Sequence, residues 1–139
     1  MGKLRQIDLI LDIDLVWDSG IRSKNFVATD GSGFKVVDGV WYIAKGTRWD
    51  GTTNVPDGPE DPNKPGFPIT WKASLIHDMG CKYWLFKCFP YSRMKINKFF
   101  FKLMKEVKFE YRKLYYLGVS IWGIIKIILY HTILSKKEC

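Results

Sequence analysis

The hydrophobic period of this chain changes at Thr70, and that change sets the fold class. Before it, apolar residues recur at every second position. Ile7, Leu9, Leu11, Ile13 and Leu15 alternate with Asp8, Ile10, Asp12 and Asp14, the pattern of one strand with a buried face and an acidic face. Phe34-Lys35-Val36-Val37 and Val40-Trp41-Tyr42-Ile43-Ala44 flank Asp38-Gly39, a two-residue hairpin signal. Phe26-Val27-Ala28, followed by the turn-rich Thr29-Asp30-Gly31-Ser32-Gly33, adds a further short extended piece. Residues 1–46 therefore predict a small antiparallel sheet. Residues 47–69 hold five of the six prolines and read as an ordered loop.

Beyond Thr70 the spacing is helical. Thr70 stands where a cap is wanted for a helix running to about Phe86, and Ser92 can cap the next, over 92–112. In that second helix Ile96, Phe100, Leu103 and Val107 make an apolar stripe, with Lys95, Lys98, Lys102 and Lys105 mostly on the other side. After a break near Gly118 a third helix occupies roughly 115–134. The expected architecture is α+β: a small N-terminal sheet, a Pro/Gly-rich loop and three C-terminal helices. A chain of 139 residues makes this a single domain, with strands in 1–46, loop in 47–69 and helices in 70–135.

Charge is divided along the chain. Residues 1–79 carry 9 Lys/Arg against 11 Asp/Glu, and residues 80–139 carry 13 against 3, so the net of +8 belongs to the helical half. A basic face of this kind suits an anionic partner, nucleic acid or lipid headgroups. Residues 114–134 are almost wholly apolar apart from Lys126 and His131, and are long enough to span a bilayer. Lys126 would then sit near mid-depth, costing about 2.5–3.5 kcal/mol against many small apolar gains. Because the sheet and the second helix both need an apolar partner, the favoured expectation is a buried C-terminal helix. The basic residues would then meet nucleic acid or an acidic protein.

Cys81, Cys88 and Cys139 are an odd set. Seven residues apart on one helix, Cys81 and Cys88 would lie roughly 10 Å apart along the axis, too far for a disulfide. The expectation is free thiols in a reducing compartment. No secretory signal opens the chain, since Asp8, Asp12 and Asp14 interrupt the early apolar run. Met1-Gly2 does not start a myristoylation signal, because Gln6 stands where Ser or Thr is required.

Two polar segments carry what chemistry the chain offers. Trp49-Asp50-Gly51-Thr52-Thr53-Asn54-Val55-Pro56 is a loop with a carboxylate and several hydroxyl and amide groups. Ala73-Ser74-Leu75-Ile76-His77-Asp78 ends an apolar helix turn on an imidazole and a carboxylate. If Asp50, His77 and Asp78 converge, they are candidates for an acid–base centre or for a divalent metal. Thr52 and Thr53 would then contact a substrate. His77 and Cys81 are spaced i, i+4 like metal ligands, but no second Cys/His pair completes a structural zinc site. Asp50-Gly51 is equally a turn signal, and His77 equally a buried structural histidine.

In order, these motifs and Arg93-Met94-Lys95-Ile96-Asn97-Lys98-Phe99 resemble a small bacteriophage and prophage family, catalogued as domain of unknown function thirteen-fifty-three. The resemblance covers roughly residues 40–125 and departs from the family where Asn97 replaces an aspartate. It implies a phage origin and the convergence of Asp50, His77, Asp78, Arg93 and Asn97, with Arg93 and Asn97 on the substrate side of any site. It brings no settled activity. Three expectations follow. The protein is a component of a phage particle or assembly, working in the host cytoplasm or virion with phage proteins or nucleic acid on Lys95, Lys98, Lys102 and Lys105. Alternatively it is a hydrolase centred on His77, Asp78 and Asp50. Or it is a membrane-associated phage protein attached through its apolar helix.

Overall fold

The computed structural model of the protein describes residues 8–50 and 59–139. Six strands precede three helices: β1 (Asp8–Ile10), β2 (Leu15–Asp18), β3 (Phe26–Val27), β4 (Lys35–Val37), β5 (Val40–Ile43), β6 (Arg48–Asp50), α1 (Trp71–Trp84), α2 (Arg93–Glu106) and α3 (Arg112–Thr132). This is the α+β arrangement that the change of period predicts. Asp38 and Gly39 close the β4–β5 hairpin with positive φ of 47° and 87°, placing Val37 opposite Val40. A Cβ at Gly39 would stand 2.2 Å from the Ile21 carbonyl oxygen, so the turn requires glycine.

The single strand expected over residues 7–15 is broken in two. β1 pairs with β6 as a two-stranded sheet, whereas β2 joins a four-stranded sheet ordered β2-β5-β4-β3. Both ladders keep one antiparallel register, from Asp8↔Asp50 to Asp18↔Val40. The strand therefore bends without slipping. Asp12-Ile13-Asp14 makes the bend, with Asp14 accepting a hydrogen bond from the Lys45 backbone N–H at 2.7 Å and Asp12 paired with Lys64 at 2.6 Å. Short carboxylates compete for backbone partners in this way, which period alone does not reveal. Part of the supposed 47–69 loop is in fact β6, and its later residues close on themselves through an antiparallel Glu60↔Pro68 bridge.

The core lies between the four-stranded sheet and the helices, and it is aromatic. Trp41 is fully buried and has ring neighbours in Trp17, Phe34, Phe89, Tyr91 and Phe99. Phe99 brings α2 onto the sheet, while Tyr83 brings α1 there by stacking on Phe34 at 4.5 Å. Such pairs contribute about 0.5–1.5 kcal/mol each beyond their buried area.

Helix ends differ from the sequence reading in identifiable ways. Thr70 precedes α1 but makes no side-chain cap, and α1 stops at Trp84 rather than Phe86. Ser92 does cap α2, accepting from the Lys95 N–H at 3.1 Å. That helix ends at Glu106, not at 112, because Lys108 turns left-handed with φ 56° and the Phe109 N–H returns to the Met104 carbonyl. No break occurs at Gly118, which lies inside α3.

The largest departure concerns α3 itself. It packs on α2 but is mostly not buried: only 11% of the residues in its most apolar window are buried. Leu114, Leu117, Ile121, Trp122, Ile124 and Ile128 are each more than half exposed. The cysteines also differ from expectation, since Cys88 and Cys139 form a disulfide and Cys81 alone is free. The 81–88 spacing says nothing of this bond, because the partner of Cys88 lies 51 residues away in the tail.

Two glycines of α3 test how closely it packs. A Cβ at Gly123 would meet Asn97 Nδ2 at 2.9 Å and Arg93 Cγ at 3.2 Å, whereas at Gly118 it would meet open space. Gly118→Ala is expected to stabilise by up to about 1 kcal/mol. Gly123→Ala should destabilise by roughly 1–3 kcal/mol. Thermal melts should therefore move in opposite directions, and a shared direction would contradict this helix packing.

Candidate functional site

Three helices meet at one buried amide. Asn97, on the face of α2 turned toward both neighbours, has no exposed surface. Its Nδ2 donates to the Val119 carbonyl of α3 at 3.0 Å, and its Oδ1 lies 2.9 Å from His77 Nε2 of α1. The donor to Val119 can only be the amide nitrogen, so the oxygen must face the imidazole. Nε2 therefore carries the hydrogen, and His77 is the Nε2–H tautomer. An aspartate at this position, as in the phage family, would set a carboxylate against the Val119 carbonyl. Asparagine serves both partners.

The surroundings of His77 oppose charging it. Phe100 lies 4.7 Å away, ring to ring, and the Cys81 sulfur is within 3.8 Å of Nδ1. Burial pulls the imidazole pKa down to about 4, with the Arg93 charge acting in the same direction against the support of Asn97. Burial likewise pushes the Cys81 thiol up to about 12, so the sulfur is a neutral thiol rather than a nucleophile. Arg93 is buried too. Its guanidinium lies over Trp84 at 5.6 Å, and its Nε has no hydrogen-bond partner among the described residues.

Two carboxylates line a cleft that Cys81 shares. Asp50 at the end of β6 and Asp78 on α1 line one open cleft of about 380 Å³ together with Arg48, Cys81 and Lys82, and His77 is not among its walls. Of the predicted cluster, Asp50 and Asp78 share the cleft, and half-buried His77 meets Asn97, with Cys81 of the cleft wall beside its ring. Thr52 and Thr53 lie outside the described residues. Among the described residues no three of His, Cys, Asp and Glu are grouped to hold a metal ion, and Asp50, His77 and Asp78 are not such a set. Ser74 is buried, accepting from Trp49 Nε1 at 2.9 Å and donating to the Trp71 carbonyl. It fixes β6 on α1.

On α2, Lys98, Lys102 and Lys105 are exposed and Lys95 is half-buried, as the apolar stripe requires. Sequence reasoning missed the polar knot of Tyr83, whose hydroxyl donates to Asp30 at 2.8 Å with Ser32 alongside. It also missed the open face of α3. The signal for that face was present: α3 is apolar all round, where a helix with one covered side needs a single stripe.

No family model, curated protein or solved structure matches the chain. The phage-family resemblance therefore rests on its three motifs.

His77 makes folding sensitive to mild acid. An unfolded imidazole takes a proton near pH 6.5, but the folded one refuses it until about 4. Stability should hold above about 6.5 and fall as pH drops toward 4, by up to roughly 3 kcal/mol. Asp30, held low by hydrogen bonds from Ser32 and Tyr83, loses its contribution only below the ordinary carboxylate range. Urea unfolding across pH 7 to 4.5 should slope for the wild type and lie nearly flat for His77→Gln.

Proposed function

We propose that the protein is membrane-bound, seated on the bilayer surface by α3 lying in the membrane plane. One observation carries this reading: a 21-residue helix containing an 18-residue window of mean hydropathy 1.4 presents most of its apolar side chains to solvent. Soluble domains rarely leave so long an apolar face uncovered. At about 1.5 Å per residue the helix is long enough to cross a bilayer, but its attachments favour lying flat.

Those attachments run the length of the helix. Phe101 meets Tyr116, Asn97 bonds Val119, and Trp84 meets Tyr130. The tail then returns to the α1–α2 connection through the Lys137 N–H to the Leu85 carbonyl, the Lys87–Glu138 ion pair and the Cys88–Cys139 disulfide. Crossing the bilayer would require α3 to leave α2 and expose the Asn97 amide. Lying in the plane keeps every one of these contacts and covers only the open face. If the phage resemblance holds, the membrane is that of the host.

The hydrolytic reading has less support. His77 is half-buried, its Nε2–H is held by Asn97 and its basic Nδ1 lies beside Cys81, and burial holds its pKa at about 4, low for a base acting near neutrality.

Flotation with lipid vesicles tests the membrane reading. Wild-type protein should float with the vesicles. The double variant Ile121→Asp, Ile128→Asp should stay behind while melting within a few degrees of wild type, because both positions are more than half exposed. Equal flotation of the variant, or none by the wild type, would overturn the reading.

A further inference from the structure

The contacts that hold α3 also show which side chains border it. Arg93, Asn97 and Phe101 of α2 face α3, spaced four residues apart as one stripe. Lys105 continues that stripe, and Lys98 and Lys102 each follow a contact residue by one position, about 100° round the helix. All three lysines are exposed. Phe99 and Phe100 turn the other way, to the sheet and to α1. The lysines thus form a row along the flank of the apolar face.

The ends of α3 are basic as well, with Lys113 in its first turn and Lys137 in the tail beyond it, both exposed. Lys126, the one charge in the middle, folds its ammonium back over the Trp122 ring at 5.3 Å. Acids are concentrated in the other half of the chain, 11 against 3. An apolar stripe rimmed by cations on a polarised domain is complementary to acyl chains beneath anionic headgroups.

We propose that the partner of this face is an anionic phospholipid leaflet, with its headgroups on Lys98, Lys102 and Lys105 and its acyl chains covering α3. This rests on the membrane reading above and adds its lipid class. A second copy of the chain is the competing occupant, but pairing two such faces brings together two halves that each carry 13 cations against 3 acids.

Binding is measured by co-sedimentation with vesicles of phosphatidylcholine alone and of phosphatidylcholine with phosphatidylglycerol, alongside sedimentation equilibrium without lipid. The wild type is expected to prefer the anionic vesicles on the order of a hundredfold, a factor that three lysines near a charged leaflet supply. The preference should shrink as salt screens it. The triple variant Lys98→Gln, Lys102→Gln, Lys105→Gln should lose most of that preference while retaining its weak binding to phosphatidylcholine and its melting temperature. Equal wild-type binding to both vesicles would overturn the lipid class and leave the membrane reading standing. No binding to either, with a stable dimer in solution, would overturn both and identify the second copy as the occupant.

Discussion

The side-chain amide of Asn97 is the joint on which the helical half depends. One oxygen accepts from the imidazole of α1 and one nitrogen donates to a backbone carbonyl of α3, with no water-exposed surface left over. Each interaction alone contributes about 1 kcal/mol, and removing the amide would take a partner from two half-buried residues, His77 and Val119, at once. The joint also accounts for the glycine at position 123, since a side chain there would strike the amide itself. A lone buried polar contact is directional where apolar packing is not. It therefore fixes the level at which α3 lies along α2.

The consequences reach the surface. With Val119 and Gly123 turned inward, the residues on the opposite side of α3 must face out, and those residues are leucine, isoleucine and tryptophan. The disulfide and the Phe86↔Lys137 bridge secure the far end of the same layer. The outward face of α3 is therefore a continuous run of exposed leucine, isoleucine and tryptophan. The same joint holds the His77 Nε2 proton, and burial disfavours the charged imidazole.

Local chemistry was legible in the sequence where a residue type dictates its own surroundings. Asp38-Gly39 demanded a two-residue turn, Ser92 a cap, and the helical stripe of α2 a lysine face, and each is found. What period could not show is competition between neighbours. Asp12 and Asp14 took backbone and lysine partners and bent a strand that alternation draws straight. Lys108 ended α2 where the apolar stripe ran on. Consecutive residues on a helix diverge by about 100°, so Asp78 lines the cleft with Asp50 while His77, one residue before it, meets Asn97. The disulfide depends on where the tail travels, which no local pattern encodes, whereas the open face of α3 has its signal in an apolar character that is not confined to one stripe.

The in-plane seating of α3 on a bilayer is the central claim, and depth measurement tests it most directly. Single environment-sensitive fluorophores at Leu117, Ile121, Ile124 and Ile128, read with depth-calibrated quenching lipids on bound vesicles, report four points along the outward face. A helix lying flat places all four at one shallow depth just below the headgroups. A progressive change in depth from Leu117 to Ile128 would mean that α3 leaves α2 to cross the membrane, and labels that stay accessible to aqueous quencher throughout would mean that this face is covered by something other than lipid.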